Sequence, residues 1–459
     1  MKKLLYAFGL GMASLSAQAQ APVKPFQAKD RVIFVGNSIT EAGAYVSYVY
    51  LYYMTHFPGR PLVIMNGGVG GDRAAEIYRR LDYDIMAKHP NVLVLTFGMN
   101  DTGYFEFNQA NADETARQRI AASAENYGKI EARLKAMPQV TKILMSSPPY
   151  DEISDLKGDV FKGKSKAMLK IAEFQEASAK KNNWGFVDLL RPLTAINERL
   201  LQENPASTGL GHDRIHPGNA GHLIMAAQFL KDQGLAGKPV ADFSVDAAGK
   251  VAKAENCKIS NVTHAAGKVS FDYLAESLPF PLDTVPRIFG NPQKQIDALQ
   301  WIPFAEEFDK EMITVPGLEA GTYSLLMDGH KVGEWDAAAF AAGINLALQG
   351  ETPEYKQAQS IMQLNIRRQE LEARFRSYYW VQADFMDKRG LRLKDNAAAL
   401  DSARAGTKTD VFLRFHEGTY ETAIYPEMRA AWQHEIDTII ALVYKLNKPA
   451  THHIEIVKN

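Results

Sequence analysis

The sequence predicts a parallel α/β layer fold followed by a smaller α+β region. Three observations carry this. From residue 31 to about residue 235, short apolar runs alternate with amphipathic helical stretches. After "AGKPVADFSVDAAGK" the alternation stops, and hairpin-like strands precede long helices. The chain has 459 residues, 46% hydrophobic and 23% charged, which is enough for about two or three ordinary globular cores.

At the N-terminus, Met1, Lys2 and Lys3 precede the apolar run "LLYAFGLGMASL" and an Ala17-Gln18-Ala19 pattern. A charged start, a short apolar stretch and small residues at a cleavage point are the marks of a secretory signal peptide, here residues 1–19. The expectation is an exported protein, periplasmic or extracellular. No later run reaches the ~18 apolar residues of a membrane span. A net charge of −1 gives no electrostatic case for nucleic acid or an anionic membrane surface. The single cysteine, Cys257, cannot form an internal disulfide. Its surroundings, "AENCKISNV", offer no neighbouring base, so it reads as a buried structural residue.

The strand candidates of the first domain, residues 26–236, are "RVIFVG", "PLVIMN", "NVLVLTFG", "TKILMSS" and "WGFVDLL". Between the first two, Val46, Val49, Tyr50, Tyr53, Met54 and Phe57 make a helical stripe, and Ile77, Leu81 and Ile85 make another. A last helix starts near Asn219, carries Leu223, Ile224, Ala227 and Leu230 on one face, and stops at Gly234. Residues 241–459 read as a separate α+β region. "KVSFDYL" alternates as a strand does, and "TYSLLMDGHKVGEW" reads as a hairpin about Asp328-Gly329. Long helical stretches begin at Pro353 and Pro426, the latter proline at a plausible first helical position.

In an open parallel sheet, ligands bind beyond the carboxyl ends of the strands. Four polar signals lie at such places: Gly36-Asn37-Ser38, "NGGVGGDR", Gly98-Met99-Asn100-Asp101 and "GHDRIHPGNAGH". Taken singly, each is a helix cap, a flexible turn or a weak phosphate loop. Together they supply a complete set for acyl transfer. A serine hydroxyl needs a base, and the base needs an acid that fixes its tautomer. Ser38, His216 and Asp213 are of those types, and the three-residue spacing of the last two lets one turn present both. The oxyanion needs donors. The Ser38 amide, a glycine amide from the second loop and the Asn100 side chain can provide them.

The order Ser, Gly, Asn, then Asp-x-x-His after successive strands resembles the SGNH (GDSL) hydrolase superfamily, most specifically in "GNSIT", "GMND" and "DRIHP". The resemblance covers residues 31 to about 235. It implies a flavodoxin-like, doubly wound parallel sheet of order 2-1-3-4-5 and esterase chemistry without metal or cofactor. It further implies Ser38 as nucleophile, His216 as general base, Asp213 as its orienting acid, and Gly71 and Asn100 as oxyanion donors. Gly68 and Gly70 lie close to Gly71; the Asp72 that follows favours Gly71. The family usually has Asp where this chain has Asn37. Asp72 and Asp101 read as loop braces, and His212 and His222 as bystanders.

Glu41 and Tyr45 open the first helix beside Ser38, where they either line a substrate pocket or serve as cap and core. Tyr104, Phe105 and Phe107 make either a sugar-stacking platform or a packed loop. The expected activity is hydrolysis of short acyl esters, chiefly acetyl, on carbohydrate, and the expected partner is an acylated small molecule or polysaccharide. Within the same superfamily a lipase or acyltransferase is the alternative. From another class, the alternative is a non-catalytic carbohydrate-binding protein on a decayed hydrolase. The C-terminal region is also similar to that of other secreted bacterial SGNH proteins, in "GTYSLLMDGHKVGEW" and "AGINLA".

Overall fold

A computed structural model describes residues 21–206, 208–288 and 290–459; the expected signal peptide, residues 1–19, lies outside them. The first domain is built on five strands: β1 (Arg31–Gly36), β2 (Val63–Gly68), β3 (Val92–Phe97), β4 (Thr141–Ser146) and β5 (Gly185–Val187). All neighbours pair in parallel, in the order β2-β1-β3-β4-β5. This is the flavodoxin-like arrangement that the resemblance implies.

Parallel strands are covered on both faces, so their sequences read as continuous apolar runs. In β1, Val32 and Phe34 face one core while Ile33 and Val35 face the other. The short α1 (Ser38–Glu41) leads into α2 (Ala44–His56), and α3 (Ala74–Arg80) follows β2. Then come α4 (Ala112–Lys135), α5 (Lys164–Asn182), α6 (Leu190–Glu203) and α7 (Asn219–Asp232). Helices α2 and α7 share the Phe34 face, while α3 and α4 cover the Ile33 face.

Beyond residue 240 the chain forms two further sheets. One has the order β13-β10-β6-β7 and the other β12-β11-β14-β9-β8. Their strands are β6 (Ala241–Val245), β7 (Val251–Glu255), β8 (Cys257–Ala265), β9 (Lys268–Ala275), β10 (Glu311–Thr314), β11 (Thr322–Met327), β12 (His330–Asp336), β13 (Ile344–Asn345) and β14 (His452–Lys458). The two sheets enclose a core that includes Phe243, Phe271, Tyr273, Leu325 and Ile456. Cys257 lies buried at its edge, and burial pushes its thiol up to about 11. The hairpin about Asp328-Gly329 forms as expected: both residues have positive φ, 50° and 79°, as a two-residue type I′ turn requires.

Two short helices, α8 (Phe304–Phe308) and α9 (Ala337–Ala342), precede the long helical segment. That segment comprises α10 (Pro353–Trp380), α11 (Ala397–Gly406), α12 (Val411–Ala423) and α13 (Pro426–Leu446). It is an insertion within the sandwich, because β14 returns to lie between β11 and β9, antiparallel to both. Packing therefore divides residues 241–459, which the sequence reading took as one separate region. The strands have their own core, whereas the helices complete the core of the hydrolase domain: Ala358, Ile361, Leu413 and Ile436 join Val49 and Tyr50 in one apolar cluster.

This shared core explains α2. The apolar stripe predicts one buried face, yet every residue from Ala44 to His56 is buried. The second face is covered by α10, where Asn365 Nδ2 donates to Ser47 O at 3.0 Å and to Ser47 Oγ at 2.9 Å. The Arg368 guanidinium lies 4.9 Å above the Tyr50 ring.

Candidate active site

Ser38, Gly71 and Asn100 follow the ends of β1, β2 and β3, and Asp213 and His216 come from the loop between α6 and α7. The chain leaves β1 through Gly36, whose Cβ position would fall 2.2 Å from Thr40 Oγ1, so no side chain fits at that crossing. Asn37 then caps α1, its Oδ1 accepting from Ile39 N at 3.1 Å. Capping needs an oxygen acceptor and no charge, so Asn37 performs locally what an aspartate would. Ser38 is thereby fixed at the first helical position with its hydroxyl in the cleft.

Ser38 Oγ lies 2.8 Å from His216 Nε2, and His216 Nδ1 lies 2.5 Å from Asp213 Oδ2. Asp213 Oδ1 also accepts from the backbone N–H groups of Ile215, 3.0 Å, and His216, 2.8 Å. Burial presses the Asp213 carboxyl toward its neutral form. The hydrogen bond and charge of His216, with the two amides, outweigh this and hold it below the usual carboxylate range. About two-fifths of each side chain faces open cleft, 42% for His216 and 45% for Asp213, so a substrate can reach the pair.

The turn that carries them is pinned by Arg214. Its backbone is left-handed, φ 67°, and its buried guanidinium donates to Ser154 Oγ at 2.8 Å, Ser154 O at 3.2 Å and Asp151 O at 3.3 Å. A strained residue inside a catalytic turn persists only when its surroundings hold it, and this cage of acceptors does so.

The other loops meet the same cleft. Gly71 has φ 83° with open space where a Cβ would stand, and it lines the cleft. Gly68 and Gly70 answer to packing: a Cβ on Gly68 would meet Glu41 N at 2.3 Å, and one on Gly70 would meet Glu41 Oε2 at 2.7 Å. Asn100 Nδ2 donates to Asp72 O at 3.0 Å, which ties the second loop to the third. Asp101 braces this corner, accepting from Ala74 N, Gly98 N and Ser123 Oγ at 2.7–3.0 Å. Asp72 is buried against Arg80, 2.6 Å away.

Glu41, Tyr104 and Phe105 line the cleft, as the sequence reading allowed. Burial pushes the Glu41 carboxyl up to about 7, against the pull of Arg376, and its Oε1 has no hydrogen-bond partner. Tyr45 does not line it, and its assignment to the substrate pocket is corrected. The side chain points into the core, where the hydroxyl lies 2.9 Å from Thr40 Oγ1 and the ring stacks 5.9 Å from His222. Tyr45 N donates to His222 Nδ1 at 3.3 Å, and burial pushes His222 down to about 3, so that histidine stays neutral. Phe107 is a packing residue against the core. His212 lies in the cleft wall.

The cleft, about 980 Å³, has a second wall that the motif reading missed: Trp380, Asp384, Lys388, Phe412 and His416, all from the helical insertion. His416 stacks on Trp380 at 4.5 Å, and burial pushes its ring down to about 4. The available signal was spacing. Trp380 and Asp384, and Phe412 and His416, are each four residues apart in helical stretches and so share a face.

Among the described residues, no group of three or more His, Cys, Asp or Glu side chains is placed to hold a metal ion. No helix among them is long and apolar enough to cross a membrane. The arrangement that is present, a hydroxyl on an imidazole on a carboxylate with amide donors nearby, has the parts required for acyl transfer.

Comparison with known proteins agrees with this geometry. Residues 34–224 match the GDSL-like lipase/acylhydrolase family, and residues 359–448 match the diltiazem deacetylase C-terminal helical domain. A solved gut microbial diltiazem-metabolizing enzyme is 43% identical, with a TM-score of 0.93 over 96% of this chain and 100% of its own. An acetylxylan esterase of Geobacillus stearothermophilus is 24% identical over 45% of this chain and 94% of its own. That match covers under half of this chain, whereas the first covers nearly all of it, the helical insertion included. Through its hydrolase domain, the chain belongs to the GDSL-like lipase/acylhydrolase family.

Proposed function

We propose that this protein is a serine esterase that removes short acyl groups, acetyl above all, from bulky ring-bearing alcohols. One observation carries the reading: Ser38 Oγ, His216 and Asp213 form a continuous hydrogen-bonded line, 2.8 and 2.5 Å, open to the cleft. Ser38 Oγ attacks the ester carbonyl carbon as its proton passes to His216 Nε2, while Asp213 holds the imidazolium at Nδ1. The Ser38 and Gly71 amides and the Asn100 amide group stabilise the oxyanion. Collapse expels the alcohol, which takes the proton from His216. Water, deprotonated by His216, then cleaves the acyl-serine ester, and the acid leaves as Ser38 regains its proton.

The substrate side rests on which wall is shared with which relative. One wall of the cleft is helical insertion, and the relative that has this insertion is described as diltiazem-metabolizing. The aromatic wall of Tyr104, Phe105, Trp380 and Phe412 suits a flat, largely apolar alcohol. A second reading, an acetylated glycan, is supported by the acetylxylan esterase relative and by the same ring faces, which also pack on sugar C–H groups. The charged and apolar N-terminal pattern supports export.

The test is acetate release from aryl-bearing alcohol acetates and from acetylated xylo-oligosaccharides, with Ser38→Ala as control. Faster release from the first set supports the leading reading, and faster release from the second reverses the order. Turnover by Ser38→Ala, with contaminating esterase excluded, would defeat the mechanism itself.

A further inference from the structure

An asparagine used as an oxyanion donor has a built-in ambiguity, because its amide presents N–H at one end and a carbonyl oxygen at the other in nearly the same shape. Turned the wrong way, the oxygen would repel the charge it should stabilise. Asn100 is held at both ends. Its Nδ2 spends one hydrogen on Asp72 O, 3.0 Å, leaving the second free, and its Oδ1 accepts from the Tyr104 hydroxyl at 2.5 Å. Burial raises the Tyr104 phenol above its ordinary range, so it remains a protonated donor.

Tyr104 is itself braced. The Lys164 ammonium sits 4.0 Å above its ring. That ammonium donates to Met99 O at 2.5 Å, Thr102 Oγ1 at 2.7 Å and Gly103 O at 2.6 Å, so all three of its hydrogens close the loop on both sides of Asn100. Phe161 packs against the Tyr104 ring at 70° and 5.8 Å. The chain of contacts runs unbroken from the buried Lys164 on α5, whose ammonium is pushed down to about 7 by burial, to the amide.

We infer that Tyr104, braced by Lys164, is a positioning residue that keeps the N–H end of Asn100 turned to the developing oxyanion. This rests on the reading of Asn100 as an oxyanion donor. It assigns Tyr104, which also lines the cleft, a role in turnover in addition to its place in the aromatic wall.

The test is a double-mutant cycle on a short acetyl ester, each variant first shown to melt cooperatively. Tyr104→Phe keeps the ring and deletes the hydrogen bond; kcat should fall roughly tenfold with KM within about twofold. In an Asn100→Ala background the same change should do nothing further, because the group it positions is gone. Lys164→Met should show the same split between kcat and KM. A rise in KM at unchanged kcat, or a full second loss in the Asn100→Ala background, would overturn the inference and make Tyr104 a substrate contact. Normal kcat in Asn100→Ala alone would instead remove the oxyanion reading beneath it.

Discussion

Arg376 of α10 and Asp84, in the turn after α3, meet at 3.5 Å with both side chains sealed from solvent. Asp84 also binds Arg80 at 2.7 Å, and Arg80 reaches Asp72 at 2.6 Å and Gly67 O at 2.7 Å. A single buried network thus joins the helical insertion to the loop that follows Gly71. Together with the covered second face of α2, it makes the insertion part of the hydrolase. Residues 26–236 expressed alone should expose α2 and fail to melt cooperatively. A soluble, active fragment of those residues would show that the helices are dispensable to the fold.

Arg80 is the centre of that network, and its removal would strand the buried Asp72 carboxylate while leaving Asp84 to Lys88 and Arg376. Breaking a buried pair by deleting one partner typically costs about 3–5 kcal/mol. Arg80→Ala should lose stability on that scale, measured by denaturant unfolding. A loss below about 1 kcal/mol would mean that water or Arg376 takes over the charge.

Kinetics separate the triad from the amide donor. Ser38→Ala or His216→Ala should reduce ester turnover by about 10⁴ or more while leaving the fold intact. Asn100→Ala should cost about 10²–10³ in kcat with much less change in KM, because the ground-state carbonyl needs the donor less than the oxyanion does. Near-normal turnover in Ser38→Ala would remove it as nucleophile.

What was legible in the sequence follows from range. The five strands, the hairpin at Asp328-Gly329 and the polar loops are set by local periodicity and turn chemistry, and all appear where the pattern puts them. The acid–base pair was legible because Asp213 and His216 share one turn. The division of residues 241–459 was not, since whether a helix packs on its neighbouring sheet or on a domain 300 residues earlier leaves no local mark. One trace existed in "AYVSYVYLYYMTH", which lacks a polar face and so calls for cover on both sides. Tyr45 was misplaced for the same reason: proximity to Ser38 in sequence says nothing of which way a helix turns its side chains.

The helical wall should set selectivity for the alcohol. Phe412 is 67% exposed and Phe105 66%, yet both line the cleft. Exposed aromatic rings there cost solvation unless a ligand covers them. Phe412→Ala should raise KM for an aryl-bearing acetate several-fold and leave hydrolysis of a minimal acetyl ester within about twofold. Equal effects on both esters would place Phe412 outside the binding surface.

The last prediction concerns pH. Glu41 has its carboxyl raised from an ordinary 4.5 to about 7, chiefly by burial. Below pH 4.5 it is protonated in both folded and unfolded chains and has no effect on the balance. Between pH 4.5 and 7 the unfolded chain releases its proton first, so this group's contribution to stability falls as pH rises. The full shift corresponds to roughly 3 kcal/mol above pH 7, an upper figure because cleft water screens part of it. Glu41→Gln removes the titration while keeping the shape and the Oε that meets Gly70. The stability of Glu41→Gln relative to the parent should therefore be higher at pH 8 than at pH 5, by about 1–3 kcal/mol in denaturant unfolding. Identical differences at the two pH values would show that the Glu41 carboxyl ionises in the folded protein as freely as in the unfolded chain.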